Sequence, residues 1–576
     1  MARGSLTAGT VDMPPGLGLL DGSVVSLLHR TTEELNMKIF LAFLLSAALL
    51  SAGASVAQDI AVPATNPWAA AGPYPMSHHN PAQTDLTIVD GPTKGKKLTV
   101  EDAKWVPVVW CSAPIVKKVG EHTTVIAGTP HGLAKIDATG EAFDLVSFMP
   151  YPGLEQEHAD VTHEDIAWHR DRVDAKRRKK QDWRLLFHSA YMLWGLELNM
   201  TNGGSGAYGV IDRDGYHYTF YDGTRLVKSF DDNERTKPLR PVRHVGLTDG
   251  LPDEIADRVT RILGISLTYD GHIAVAAKGG LFVFDRNLER KDHILFPDEH
   301  VENSIALDEK RIYVLTSKYM RGVVWNGERL SMDEADGAWI SEYEVMPEGE
   351  AIKRGAASHG SGTTPALMGF GDDEDQLVVI SDGSPEGAQL VAFWRDAIPE
   401  DFVQKPGTLS RRIADQIRLK FSPLTVEASP AVHGTGLILL NSTYPDSPPP
   451  PLSIIGNAFL SGETREPPLG AQKFDWKSEE NRFVEGWFLD DIDNTDWMPP
   501  AISPHNGLAY LATKVDSVYE YRAIDFETGE TVARWPFPDD SVLWNNWGGI
   551  TTLLEDGDLL LGGFFSVKRY DIGHLR

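Results

Sequence analysis

Asn303, His359, Glu427, Asp496, Asn545 and Asn546 lie far apart in the chain, yet each falls just before a short run of β-branched or aliphatic residues, as do Trp110, Trp497 and Trp547. Glu427, Asn303 and Asn545 are hard oxygen donors of the kind that Ca2+ gathers in sets of about six to eight, which makes them candidate metal ligands. His359 is the candidate catalytic residue, because an imidazole of ordinary pKa serves as acid or base near neutrality. The three tryptophans would give flat walls to a small-molecule or sugar-like ligand, with Asp496 and Asn546 as polar contacts. Cys111, Arg258, Arg261, Glu302, Ser361 and Thr363 occupy equivalent positions. Taken one at a time, polar residues at such junctions commonly serve only to satisfy nearby backbone groups. Cys111 reads as a small buried residue opening a strand, since no flanking cation lowers its pKa.

Such residues can act together only if the elements carrying them converge on one axis. Past residue 100 the chain repeats a polar turn followed by a β-rich run: His122-TVIAG, Asp270-GHIAVAAKG, Asp308-EKRIYVLTS, Glu374-DQLVVISD, Gly434-TGLILLNS, Asn506-GLAYLATK and Asp556-GDLLLGGF. Turn residues joined to such runs are the hairpin signal. Small-residue and proline segments precede several of them (Thr364-Pro365-Ala366-Leu367, Ser429-Pro430-Ala431-Val432, Pro499-Pro500-Ala501-Ile502), and strands returning through polar loops follow. Four short antiparallel strands per unit, stacked radially, make a propeller. The expected fold is therefore all-β: a single closed β-propeller of four-stranded blades. Units begin near 111, 185, 261, 303, 364, 429, 499 and 548, which gives eight blades, with seven as the alternative because the second is poorly marked. The last unit is short, so its outer strand is expected from the N-terminal stretch 85–100.

Pro-Ala-Val followed by a hairpin and by Ala-Ile-Asp-Phe-Glu-Thr-Gly-Glu-Thr-Val-Ala-Arg-Trp (523–535) resembles the repeat of PQQ-like, quinoprotein-type propellers. Asn66-Pro67-Trp68 and His78-His79-Asn80-Pro81-Ala82-Gln83-Thr84 are similar to the leader that precedes the first blade there. The resemblance implies a fold more than a reaction. Alcohol dehydrogenases of that superfamily typically use a vicinal cysteine pair and often a haem domain, and a chain whose one cysteine is Cys111 can supply neither the pair nor a CxxCH haem attachment. Sugar dehydrogenases that lack the pair keep PQQ open as a cofactor.

The 576 residues are 42 % hydrophobic with 53 glycines, an ordinary globular composition, and the formal charge is −28, which disfavours nucleic acid and anionic lipid as non-specific partners. Residues 37–57 read as a secretory signal, with the cationic head Met37-Lys38, the apolar stretch from Ile39 to Leu50 and the small-residue site Ser55-Val56-Ala57. The apolar stretch is shorter than the ~20 residues a spanning helix needs, and no later stretch serves as a membrane anchor. A periplasmic or secreted protein is expected, with residues 1–36 an upstream gene-model extension, 58–84 a leader and 85–576 the propeller. Insertions fall at 150–184 and 440–480. His158, His163 and His169 in the first are spaced by five and six, which suits neither a helix face nor alternate strand positions, so a shared metal is not expected there. Leu409, Ile413, Ile417 and Phe421 recur every four residues and predict an amphipathic helix over 408–421. No GxSxG elbow, phosphate loop, HExxH or dinucleotide fingerprint occurs in a productive context, and Gly203-Gly204-Ser205-Gly206 reads as a turn. Two function classes follow: an exported small-ligand protein, with Ca2+ or a quinone assisting an oxidoreductase or hydrolase reaction, or a non-catalytic scaffold that holds a protein or glycan on its face.

Overall fold

Runs rich in Val, Ile and Leu between Gly, Asn and Asp turns pair as hairpins rather than coil into helices, and in the computed structural model of the chain they build eight antiparallel sheets. The structure describes residues 61–576 except 200–201, 203, 354–357, 374, 422–426 and 450–451; the signal-like segment 37–57 and the stretch 1–36 lie outside the described residues. Seven blades are consecutive in the chain, at 115–150, 209–246, 262–295, 306–342, 366–418, 431–493 and 501–536, each ordered from axis to rim. The eighth takes three strands from 552–570 and its outer strand from Ala103–Cys111. Eight blades closed by an N-terminal strand is the expected architecture.

Several local expectations need correction. The closing strand is Ala103–Cys111 rather than 85–100, so Cys111 ends a strand instead of opening one. The strand carries Pro107 where no ladder partner is needed on the rim side, and the register shifts between Pro107 and Trp110. The second blade starts at Gly209, not near 185. The predicted helix at 408–421 is instead the outer strand Ile413–Arg418 of the fifth blade, in which Ile413 pairs with Phe393 and Ile417 with Leu390. A period of four is also a multiple of the strand period of two, so the same pattern places Ile413 and Ile417 on one face of a strand. The second insertion is shorter than expected, because Leu469–Lys477 is already the third strand of the sixth blade.

Packing is blade against blade. Tyr218, Leu226, Val275 and Phe282 join the second and third blades, and Trp394, Phe474 and Trp476 join the fifth and sixth. The inner edge of each sheet would expose unpaired N–H groups to the channel, and the leader covers most of these edges. Backbone carbonyls of Tyr74, Pro75, Pro81, Ala82, Thr84 and Asp85 accept from Val116, Ile211, Leu307, Leu367, Val432 and Ile502, one residue on each of six inner strands. Residues 66–87 therefore thread the axis.

Because strand direction alternates, connections from an outer strand to the next inner strand, and those between second and third strands, emerge on the same face. Both insertions lie there. The first carries α1 (Glu155–Ala159), α2 (His163–Arg177) and α3 (Asp182–Gly195), and the second carries α4 (Ser453–Leu460). A reciprocal capping box between Thr162 and Asp165 starts α2. Buried Arg177 pairs with Glu463 at 2.6 Å and Arg465 with Asp182 at 3.2 Å, tying the two insertions together. The face of α3 formed by Leu185, Leu186, Ser189 and Met192 is buried, while Trp183, Phe187, Tyr191 and Trp194 on the other side are exposed. No helix among the described residues is long and apolar enough to cross a membrane.

Candidate functional site

The connections preceding the inner strands bring distant residues to the channel mouth, where a chamber of about 480 Å³ is walled by Trp110, Trp497, Trp547, Tyr208, Phe220 and Phe564. Trp110 is the last residue but one of the closing strand, and its indole N–H donates to the Trp547 carbonyl at 3.0 Å. Trp497 sits in the left-handed region (φ 53°), which turns its ring into the channel, and its N–H donates to the Ser442 carbonyl at 2.7 Å. Its ring stacks on Trp547 at 5.8 Å, and Trp547 in turn stacks on Phe564 at 5.4 Å. Leu193 of α3, Leu198 beyond it and Ile455 of α4 close the chamber from the helical side. Arg261, an exposed residue, lines the same chamber, and among the described residues its guanidinium has no hydrogen-bond or carboxylate partner; partial burial of the group draws its pKa down.

Deeper in the channel lies a second, more polar chamber of about 200 Å³, which shares Ser112, Tyr208, Asn303, Trp497 and Gly548 with the first and adds Glu427, Ser429 and His78. The leader supplies the last of these. His78 Nδ1 lies 3.0 Å from the buried Asp85 carboxylate, and its ring stacks on Tyr208 at 6.1 Å. The Tyr208 hydroxyl donates to Asn303 Oδ1 at 3.2 Å, the Asn303 amide donates to the Gly362 carbonyl, and Glu427 accepts from Ser358 Oγ at 3.1 Å.

Six of the residues singled out by sequence thus share the two chambers: Trp110, Arg261, Trp497, Trp547, Asn303 and Glu427. Asn545 is not brought to them. Its carbonyl oxygen accepts from the N–H groups of Trp547 (3.1 Å) and Phe564 (3.0 Å), while its amide donates to Val542 and Phe564 carbonyls. Of the three expected Ca2+ donors, only Asn303 and Glu427 face one space. Asp496 and Asn546 are buried beside the tryptophans and line neither chamber; Asp496 Oδ2 accepts from the Asn546 backbone at 2.9 Å while its other oxygen has no partner. Burial pushes the Asp496 carboxyl up to about 6 and Lys568, whose ammonium donates to the Asn545 carbonyl, down to about 7. The same burial raises the Cys111 thiol to about 12, which fits an inert packing residue.

His359 lies one connection away from Asn303. Its Nδ1 is 3.1 Å from the Met346 carbonyl, and its Nε2, shielded from water and unpartnered, lies 3.7 Å from Glu302 Oε1. His300, which sequence reasoning passed over, completes a cluster with both. His-x-Glu at 300–302 is a visible signal, but nothing in the spacing announces that residue 359 returns to it. Of the histidines at 158, 163 and 169, His158 stacks on Phe148 at 4.0 Å, and His169 packs between Trp168 and His188.

No family model matches the chain. A protein of Archaeoglobus fulgidus described only as uncharacterized is 30% identical over 393 residues, spanning 63% of this chain and 70% of its own length. Among solved structures, the Saccharomyces cerevisiae protein Sqt1 aligns over 82% of this chain and 98% of its own at 9% identity and a TM-score of 0.40. The β-propeller domain of Myceliophteria thermophila Cps50 (Swd1) aligns over 62% of this chain and 92% of its own at 11% identity and a TM-score of 0.34. The propeller assignment rests on this chain's own strand order.

Proposed function

We propose that this chain, which belongs to the same family as the uncharacterized Archaeoglobus fulgidus protein, binds a small organic ligand with a flat apolar body and an anionic end in the channel mouth. The observation that carries this reading is the outer chamber, where indoles from the closing strand and two connections converge around open space beside a guanidinium that has no partner among the described residues. Apolar walls with a few placed polar groups are the ordinary make-up of a small-molecule site. Arg261 would take the anionic end by charge-assisted hydrogen bonds, and the polar inner chamber would take whatever polar substituent reaches past Tyr208 and Asn303. We place the protein outside the cytoplasm on the signal-like segment 37–57. The resemblance to quinoproteins keeps a planar quinone among the fitting ligands, and Ca2+ held by Asn303 and Glu427 remains part of the proposal for the inner chamber.

A different observation favours the scaffold reading: Trp183, Phe187, Tyr191 and Trp194 form an exposed aromatic face beside Arg184, a surface suited to an acidic protein partner. One probe separates the two. Anilinonaphthalene sulfonate is planar and anionic and fluoresces in apolar sites; we expect one bound equivalent, weakened about tenfold by Arg261→Gln or Trp547→Ala, each about 1.4 kcal/mol. Binding that ignores both substitutions and is lost in Phe187→Ser with Trp194→Ser would replace the chamber by the helical face.

A further inference from the structure

We propose that His300, Glu302 and His359 form a site for one divalent transition-metal ion of the Zn2+ type, separate from both channel chambers. One ligand atom from each of the three lies within 4.8 Å of the other two. Around a tetrahedral Zn2+ with bonds of about 2.0–2.1 Å, ligand atoms stand about 3.3 Å apart, so the 3.7 Å between His359 Nε2 and Glu302 Oε1 needs little adjustment.

The surroundings orient His359 and Glu302 as metal ligands are oriented, and the His300 ring lies edge-on to that of His359 with centroids 5.9 Å apart. With Nδ1 held to the Met346 carbonyl, the proton of a neutral His359 stays on Nδ1 and the Nε2 lone pair faces Glu302; a carbonyl on the distal nitrogen is the usual second partner of a metal-binding imidazole. Glu302 is fixed in the same way, since its Oε2 accepts from the His359 backbone N–H at 3.3 Å, leaving Oε1 turned towards Nε2. A plain hydrogen bond does not account for the pair, because 3.7 Å is too long for one and, among the described residues, the buried Nε2 has no hydrogen-bond partner. The backbone is braced on both sides: the His300 carbonyl accepts from Ser317 at 2.8 Å and the His359 carbonyl from Met346 at 2.7 Å.

Two imidazoles and one carboxylate select among metals. They suit Zn2+, Co2+ or Fe2+ and not Ca2+, which takes oxygen ligands alone and more of them. Three protein ligands leave a fourth position for water, the arrangement of reactive rather than purely structural zinc sites. The ligands come from the connections that precede the fourth and fifth blades, so the ion would clip two neighbouring blades together.

The test uses the full chain, stripped with a chelator and titrated with CoCl2 and then ZnCl2. Expected are one equivalent of Co2+ with the visible absorbance of a four-coordinate site, its displacement by Zn2+ but not by CaCl2, and a rise in melting temperature with either transition metal. Glu302→Gln and His300→Gln, each with a metal-free melting curve matching that of the wild type, should weaken Co2+ binding at least about tenfold. A folded wild type that gives no absorbance and no thermal shift overturns the proposal, as does Co2+ binding of unchanged affinity in both variants.

Discussion

The blades and the helical connection between the first two of them bury their aromatic residues in opposite ways. Trp535 of the seventh blade and Trp544 of the turn that follows it are almost fully buried, whereas in α3 Trp183, Phe187 and Trp194 are 60%, 67% and 70% exposed. A blade has a neighbour on each face, so both sets of alternating side chains find a core; α3 packs on the ring, α2 and α4, and its face bearing Trp183, Phe187 and Trp194 stays uncovered. Charge follows the same division. A chain of net charge −28 gathers Arg172, Lys176 and Arg184 close enough for each of the two arginines to depress the Lys176 pKa after desolvation has begun to do so. Net charge averages over the chain and does not reveal this local cationic group.

The comparison predicts unequal costs. Trp535→Ala empties a fully buried site and removes the indole bond to the Lys94 carbonyl (3.0 Å), so it should lower unfolding free energy by about 3–5 kcal/mol in a denaturant titration. A loss of under about 1 kcal/mol would mean that blades tolerate voids as loosely as the helical face tolerates exposure.

Between these extremes lies a titration inside the ring. Lys568 is wholly buried and its pKa is lowered to about 7, against about 10.4 in an unfolded chain. The folded protein then binds fewer protons than the unfolded chain between these values, so this group makes stability rise with pH across that window, by up to about 1.4 kcal/mol per unit. Lys568→Met should flatten that part of the stability profile, and a profile unchanged by the substitution would place the lysine's charge elsewhere.

The smallest effect is expected on the helices. Trp194→Ser should change stability by no more than about 0.5 kcal/mol while visibly shortening retention on a hydrophobic-interaction column. A large destabilisation would show that the exposed face is covered after all.

The parts of this molecule legible in sequence are those where local chemistry repeats. Proline before several inner strands and Gly, Asn or Asp at most hairpins mark the blades, which is why Trp110, Trp497 and Trp547 could be aligned to one mouth from residues hundreds of positions apart. Where two periods coincide, as at Ile413 and Ile417, the pattern was ambiguous and the strand was read as a helix. Asn545 shows a further limit: its type suits a cation, but whether its oxygen is free depends on the N–H groups of Trp547 and Phe564, and no spacing reveals that. His300 and the contribution of His78 to the inner chamber were missed because no repeated side-chain pattern sets either: His300 lies in the connection before the fourth blade, and His78 in the leader that threads the axis.

The threaded leader sets the order in which this protein can be completed. Residues 66–87 bond to inner strands from Val116 in the first blade to Ile502 in the seventh, and Ala103–Cys111 pairs with Gly563–Tyr570. The closing pair cannot form before the strands of the eighth blade exist. Contacts spanning more than four hundred residues carry a large loop-closure cost and make for slow folding. Ring closure is thus a late event in folding, and until it happens the unpaired edges of the first and eighth blades are the points from which chains would join one another instead of themselves.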